Sequence, residues 1–380
     1  MKDVYITRIS KFLPNKPVGN DEIEDFLGKI NGKASKAKNI VLRSNKIETR
    51  YYAIDKNGVA THNNAQLTAE AIKLLFKENP EELKTVEMLT AGTSSPDQFM
   101  PSHAVMVQGE LPEIGAIEVL TASGNCCSGV QGMKYAYMNI ANGFINKAVS
   151  AGSERLSRTM RAEQFEPEVT DLNKLEENRY LAFDKDFLRW MLSDGAAAVL
   201  LSSEKPKDKL ALKIDFIEVK SYANEAETCM YMGGEKDEQG NLVSFKEMSP
   251  EEIMKKSIFS LKQDVKLLGQ NILKYGVRMQ KEVLEKHQLT TEDFDYFLPH
   301  ISSYFFEEKT FKILNENGVG FPMEKWFTNL KHVGNVGAAS PYLMIEEMMN
   351  TGKLKKGDRL ILMVPESARF AYVYLSLTVC

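Results

Sequence analysis

The sequence predicts an α/β protein assembled from two matching halves. Short apolar runs ending in small or turn-forming residues alternate with helical patterns, which is the signature of a layered sheet. The order of elements in the first half returns in the second, and the repeat is broken at one place by a long insertion.

Taken in order, residues 1–15, MKDVYITRISKFLPN, alternate as a strand, and 63–79, NNAQLTAEAIKLLFKEN, carry helical spacing. Residues 85–95, 117–123, 147–154 and 195–204 read as buried strands. A helix running from Cys127 to Asn142 and Gly143 joins the second of these to the third. In the second half, DFDYFLPHISS (293–303) echoes TVEMLTAGTSS (85–95). The stretch after Asn335, VGAASPYLMIEEMMNTG, repeats the cysteine helix, and strands at 358–367 and 370–379 close the plan. Two lobes follow, 1–205 and 206–380. The match fails at 155–193, an insertion charged at first and aromatic at its end. In that position it is expected to be a lid, a substrate wall or a subunit contact.

The bulk properties exclude several classes of function. With 380 residues the chain is long enough for two lobes sharing a core, and 43% apolar and 26% charged residues are ordinary globular values. A net charge of −4 with no long basic run argues against nucleic acid as the main partner, although 31–43 is locally basic. No window reaches the roughly 18–20 apolar residues of a membrane span. The N-terminus lacks the apolar core of a signal peptide, so a cytoplasmic enzyme is expected. Cys126, Cys127, Cys229 and Cys380 form neither a disulfide framework nor a zinc spacing. Free thiols fit a reducing compartment, and no metal is expected.

The stretch SGNCCSGVQG (123–132) places two cysteines where a strand turns into a helix. A thiol is nucleophilic as thiolate, and a helix N-terminus favours that form. Cys127, at the turn, is the expected nucleophile and Cys126 is expected to point elsewhere. The plainer reading makes both of them small buried hydrophobes. His300 ends the apolar run FDYFLPH, and Asn335 lies between glycines in KHVGNVGAAS, each at the end of a core element in the second half. Cys127, His300 and Asn335 together form the candidate catalytic set.

On these segments the chain resembles the thiolase-fold condensing enzymes of the ketoacyl synthase III type. ASGNCCSGVQGMKYA is similar to that family's nucleophile segment, FLPHISS to its Pro-His strand end, and VGNVGAAS to its Gly-Asn loop. GTSSPDQFMPSHAVMVQ (92–108), SDGAAAVLL (193–201) and IVLRSNKIETRYYA (40–53) fit in order. The resemblance implies a layered α/β/α/β/α fold and an acyl group carried on Cys127. Neutral His300 and Asn335 would donate hydrogen bonds to a thioester carbonyl. The Cys127 N–H and a second one near Ser367 and Ala368 would hold the oxyanion.

Further implications are a homodimer formed through the strand 117–123 and no cofactor beyond the phosphopantetheine of an acyl carrier protein or coenzyme A that carries the substrates. Arg43 would contact that carrier group. Where the family has an arginine five residues after the histidine, this chain has Phe305. Its PESARFA turn (365–371) replaces a glycine-rich one, so Ser367, Ala368 and Phe370 are expected at the pocket, together with Arg189 and Trp190 from the insertion. The insertion resembles that of ketosynthases in dialkylresorcinol, flexirubin and stilbene-precursor pathways, which join a β-ketoacyl and a 2-enoyl thioester into a cyclohexanedione. The alternatives are a decarboxylative β-ketoacyl-ACP synthase III, a thiol hydrolase, and a non-catalytic partner subunit. The segment 227–240 is left open between pocket wall and surface.

Overall fold

The computed structural model describes residues 1–35, 37–165 and 187–380, so the middle of the insertion expected at 155–193 lies outside the described residues. Five strands of the first half lie side by side in the order Tyr5–Phe12, Gly195–Ser202, Lys147–Glu154, Met88–Thr93, Glu118–Ser123. Four strands of the second half repeat it: Leu212–Ser221, Ala371–Val379, Arg359–Glu366, Tyr296–Pro299. The pairing sense matches as well, two antiparallel joins followed by parallel ones. The half-sheets meet where Tyr5 and Ile6 pair with Lys213 and Leu212. The expected divide at 205/206 falls in the connection between Ser202 and Leu212.

Side chains alternate across a strand, so each half-sheet has two apolar faces to cover. In Arg359–Glu366, Leu360, Leu362 and Val364 enter a core shared with Val130, Met133, Tyr342 and Leu343. Ile361 and Met363 face the other way, toward the helix Val265–His287 and its neighbours. In Gly195–Ser202, Val199 and Leu201 point to the shared core while Ala198 and Leu200 pack on the helix Asn64–Leu75. The helices Ser128–Ala141 and Ser340–Asn350 therefore fill a central layer between the half-sheets, with further helices outside. The result is the five-layer, thiolase-like α/β/α/β/α arrangement that the resemblance implies.

The central helices use small residues because they are enclosed. A Cβ on Gly129 would lie 2.4 Å from the Ala338 carbonyl oxygen, so only glycine allows the two halves this approach. The helix Asn64–Leu75 is started by a capping box in which the Asn63 side chain accepts from the Gln66 N–H and Gln66 answers at the Asn63 N–H. Glu118–Ser123 is the edge strand of the sheet and is half-exposed along its length, unlike the fully buried Met88–Thr93 beside it. Among the described residues no helix is long and apolar enough to cross a membrane.

Candidate active site

Ser94, Asn125, His300 and Ser367 each follow directly, or within two residues, on the C-terminal end of a strand. They converge on one apolar cavity that Cys126 and Asn335 also line. The C-terminal edge of parallel strands is the usual location of a site in α/β sheets. Here the two halves bring two such edges together.

The two cysteines differ in their surroundings: the cavity lining takes in Cys126 and not Cys127, the expected nucleophile. Cys126 is half-buried and lines the cavity. Cys127 is 1% exposed, donates from Sγ to the Val364 carbonyl at 3.2 Å, and belongs to the central core. The reason is helical periodicity. Residues three or four apart share a face, so Cys127 continues the buried stripe of Val130, Met133 and Ile140 into the core. Cys126, one residue before the cap, falls off that stripe.

A standing thiolate is not what the structure holds. Burial pushes the Cys126 thiol up, the carboxylates of Glu366 and Glu154 push it further, and its own backbone N–H works weakly against them. The thiol is therefore protonated at rest, and the expected stabilisation by the helix N-terminus is outweighed.

His300 is 4% exposed and held by its backbone, whose N–H donates to the Met363 carbonyl at 2.8 Å. Burial lowers its pKa to about 4, so the ring is neutral. Its Nε2 is buried without a hydrogen-bond partner among the described residues. Asn335 is fixed between strand-like neighbours: its N–H donates to the Met191 carbonyl at 3.0 Å and its carbonyl accepts from the Ser193 N–H at 2.9 Å. The Asn335 Oδ1 accepts from the Gly337 N–H at 3.0 Å, which leaves its amide NH2 as the donor for the cavity. Gly337 adopts φ +46°, and a Cβ there would meet the Glu154 Oε1 at 2.7 Å.

Two buried carboxylates, both missed in the sequence, hold this geometry. Glu154 Oε1 accepts from the N–H groups of Ala338 and Ser94, each at 3.1 Å, and Oε2 accepts from the hydroxyls of Ser94 at 2.7 Å and Ser95 at 2.6 Å. It thereby ties the Asn335 loop to the Ser94 wall. Burial raises its pKa against these hydrogen bonds. Glu366 Oε1 accepts from Asn125 Nδ2 at 2.8 Å and from the Ala368 N–H, and Oε2 from the Ala371 N–H at 3.3 Å. It clamps the turn before Cys126 onto the 365–371 turn.

That clamp revises the expected pocket residues. Ser367 lines the cavity, with its Oγ accepting from Gln263 Nε2 at 3.0 Å. Ala368 does not line it, and its N–H donates to Glu366. Phe370, at φ +61°, is turned into the outer core against Tyr275, with ring centroids 5.7 Å apart. Arg189 and Trp190 also lie off the cavity. The Arg189 guanidinium is buried, donates to the carbonyls of Met160 and Gly28 at 2.8 Å, and sits 5.3 Å over the Trp190 ring. Their neighbours Leu188, Met191 and Leu192 form the wall instead. A guanidinium that ties three chain segments together cannot also face an apolar cavity.

Arg43 is exposed in the last turn of the helix Lys38–Asn45, outside the cavity lining. Phe305 is exposed, with the Lys309 ammonium 3.7 Å from its ring centroid. Of the segment 227–240, Met230 lines the cavity while Met232 is exposed.

Residues 284–364 match the family described as 3-Oxoacyl-[acyl-carrier-protein (ACP)] synthase III C terminal. The chain is 26% identical over 368 residues to the β-ketoacyl-[acyl-carrier-protein] synthase III of Clostridium botulinum (strain Okra / Type B1), covering 95% of this chain and 94% of that one. Among solved structures, Xanthomonas campestris OleA with bound lauric acid and lauroyl-CoA superposes with a TM-score of 0.73 at 18% identity, covering 99% of both chains. The 3-oxoacyl-[acyl-carrier-protein] synthase III of Aquifex aeolicus VF5 gives 0.68 at 18% identity, again over 99% of both. The chain thus has the thiolase-like fold of these structures, and its named homologues are β-ketoacyl-[acyl-carrier-protein] synthase III enzymes.

Proposed function

We propose that this protein is a ketosynthase that accepts an acyl group on Cys126 and joins it to a second acyl thioester through a new carbon–carbon bond. The observation that carries this reading is the convergence of Cys126, His300 and Asn335 on one cavity. The Cys126 sulfur attacks the thioester carbonyl, the carbon–sulfur bond to the carrier breaks, and the carrier thiol leaves with the proton. The second thioester then places its carbonyl oxygen against His300 and the Asn335 NH2. Those neutral donors stabilise the negative charge of the enolate left when its α-carbon–hydrogen bond breaks, and the proton lost there ends on the Cys126 sulfur as that sulfur is released. Attack on the acyl-enzyme releases Cys126 as thiol.

The partners of the reaction are read as a β-ketoacyl and a 2-enoyl thioester, closed to a cyclohexanedione of the dialkylresorcinol type. The support is the large apolar wall of Leu156, Leu188, Met191, Leu192 and Met230, more than a two-carbon primer needs. Carriers are acyl carrier protein or coenzyme A, approaching past Arg43, with Lys309 as a cation near the site of the missing arginine. The chain is read as a homodimer joined through the half-exposed edge strand Glu118–Ser123. Incubation with paired thioesters and mass analysis of products tests the reading. A cyclic diketone formed without malonyl thioester is expected, and a linear malonyl-dependent β-ketoacyl product overturns the cyclohexanedione reading.

A further inference from the structure

We propose that Gln263 and Ser367 form a second hydrogen-bonding pole in the cavity, one that selects a thioester carrying an oxo group on its β-carbon. The inference rests on the ketosynthase reading above and assigns residues to the recognition of its β-ketoacyl partner.

The two side chains meet in an otherwise apolar stretch of wall. Both line the cavity, and Gln263 Nε2 donates to Ser367 Oγ at 3.0 Å. Leu261 and Leu268, on either side of Gln263 in the chain, and Met230, paired with it in a short ladder, are apolar lining residues. Gln263 is 5% exposed, so its amide has left bulk water. An amide carries two N–H donors and one acceptor oxygen. Only one of the three is used: Oε1 and the second N–H meet no partner among the described residues. The Ser367 hydroxyl has only the Met230 sulfur, 3.9 Å away and a weak acceptor, to donate to. Polar groups taken from water with their capacity unspent cost free energy unless something bonds to them. Two donor atoms 3.0 Å apart can share one carbonyl oxygen, whose two lone pairs match them.

The backbone holds this pair in place before any ligand arrives. Met230–Tyr231 pairs antiparallel with Lys262–Gln263, and the N–H groups of Cys229 and Met230 both donate to the Ala368 carbonyl, at 2.7 and 3.2 Å. Gln263 thus hangs from the same turn that carries Ser367. On its other side the Asp264 carboxylate caps the helix Val265–His287, accepting from the Leu267 N–H at 2.8 Å. Donors fixed in advance lose little freedom on binding. Glu366 ties the Ser367 turn to Asn125, next to Cys126, so the pole opens on the space where His300 and Asn335 are assigned to the thioester carbonyl. A β-ketoacyl thioester has two carbonyls with its α-carbon between them. His300 and Asn335 take one carbonyl and Gln263 and Ser367 the other, which orients the α-carbon. An unsubstituted acyl chain offers the second pole nothing and leaves its donors unbonded.

The test measures binding, by calorimetry, of CoA conjugates in which an amide nitrogen replaces the thioester sulfur, so that no acyl transfer occurs. The 3-oxooctanoyl and octanoyl conjugates are compared on wild type, Gln263→Leu and Ser367→Ala, with thermal melts to verify folding; should one variant not fold, the other reads the same pair. Wild type should bind the 3-oxo conjugate about 10-fold more tightly, the factor expected of a well-made hydrogen bond. Each variant should lose most of that preference. Equal wild-type affinities for the two conjugates overturn the proposal. So does a preference left intact in a folded variant, or a loss equal for both conjugates, which marks packing alone. Acylation by true thioesters is followed separately by intact mass. Were none to acylate the wild type, the ketosynthase reading would fail, while selection of the β-oxo group would still stand or fall on the binding data.

Discussion

Replacing each of the adjacent cysteines separates a chemical role from a packing role, and the structure sets different magnitudes for the two. Cys126→Ser changes one atom at the cavity wall, so stability should stay within about 0.5 kcal/mol while the acyl adduct disappears. Cys127→Ala removes a sulfur that is 1% exposed, donates to the Val364 carbonyl at 3.2 Å, and receives the Val373 N–H. Lost burial, an unfilled space of about one atom and the lost hydrogen bonds together cost about 2 kcal/mol. At the entropy of unfolding of a chain this size, that is a fall of roughly 3 °C in melting temperature at fixed scan rate. The assay is intact mass and peptide mapping after exposure to an acyl thioester, beside thermal melts of both variants. An adduct that survives Cys126→Ser and vanishes in Cys127→Ala, with an unchanged melt for the latter, would refute the reasoning.

The remaining predictions concern the buried charges and imidazoles. His300 and His103 each have a pKa lowered to about 4 by burial, against 6.5 unfolded. The unfolded chain binds more protons between those values, so this contribution to stability is intact above pH 6.5 and is lost as the pH falls toward 4, by up to ~3 kcal/mol for each ring. Urea midpoints at pH 7 and pH 5 should differ less in His300→Gln than in wild type, and an equal difference would exclude the buried neutral ring. Glu366→Gln removes a carboxylate that pushes the Cys126 thiol up, so iodoacetamide should alkylate Cys126 severalfold faster at pH 7.5; a rate equal to or below wild type counts against it. Glu154→Gln replaces an acceptor oxygen facing two serine hydroxyls, at a cost of about 1–3 kcal/mol. Because Glu154 holds the Asn335 loop, condensation should fall more than acylation does, and an equal loss in both steps would deny it that positioning role.

Much of the fold was legible because periodicity reports burial directly. The strand read at 147–154 is observed as Lys147–Glu154, and the helix read from Cys127 begins at Ser128. The repeat was legible for the same reason: both halves must cover two faces of a half-sheet, so they carry the same alternation. The pocket was less legible. Arg189 and Trp190 look like a substrate wall in sequence, but their neighbours Leu188 and Met191 form it, because the guanidinium is drawn to distant carbonyls at Met160 and Gly28. Glu154 and Glu366 gave no sequence signal, since a buried carboxylate is recognised by the donors around it and those come from residues far along the chain.

By itself the sequence determined the two-lobed layering and the placement of a thiol, His300 and Asn335 at the ends of core elements, all consequences of local spacing. Tertiary structure alone decided which neighbouring thiol faces the cavity, which N–H of the 365–371 turn is occupied, and which side chains of the insertion form the wall. Those outcomes depend on what lies across the gap, and contacts such as Cys127 with Val364, distant in sequence, leave no trace in either segment read alone.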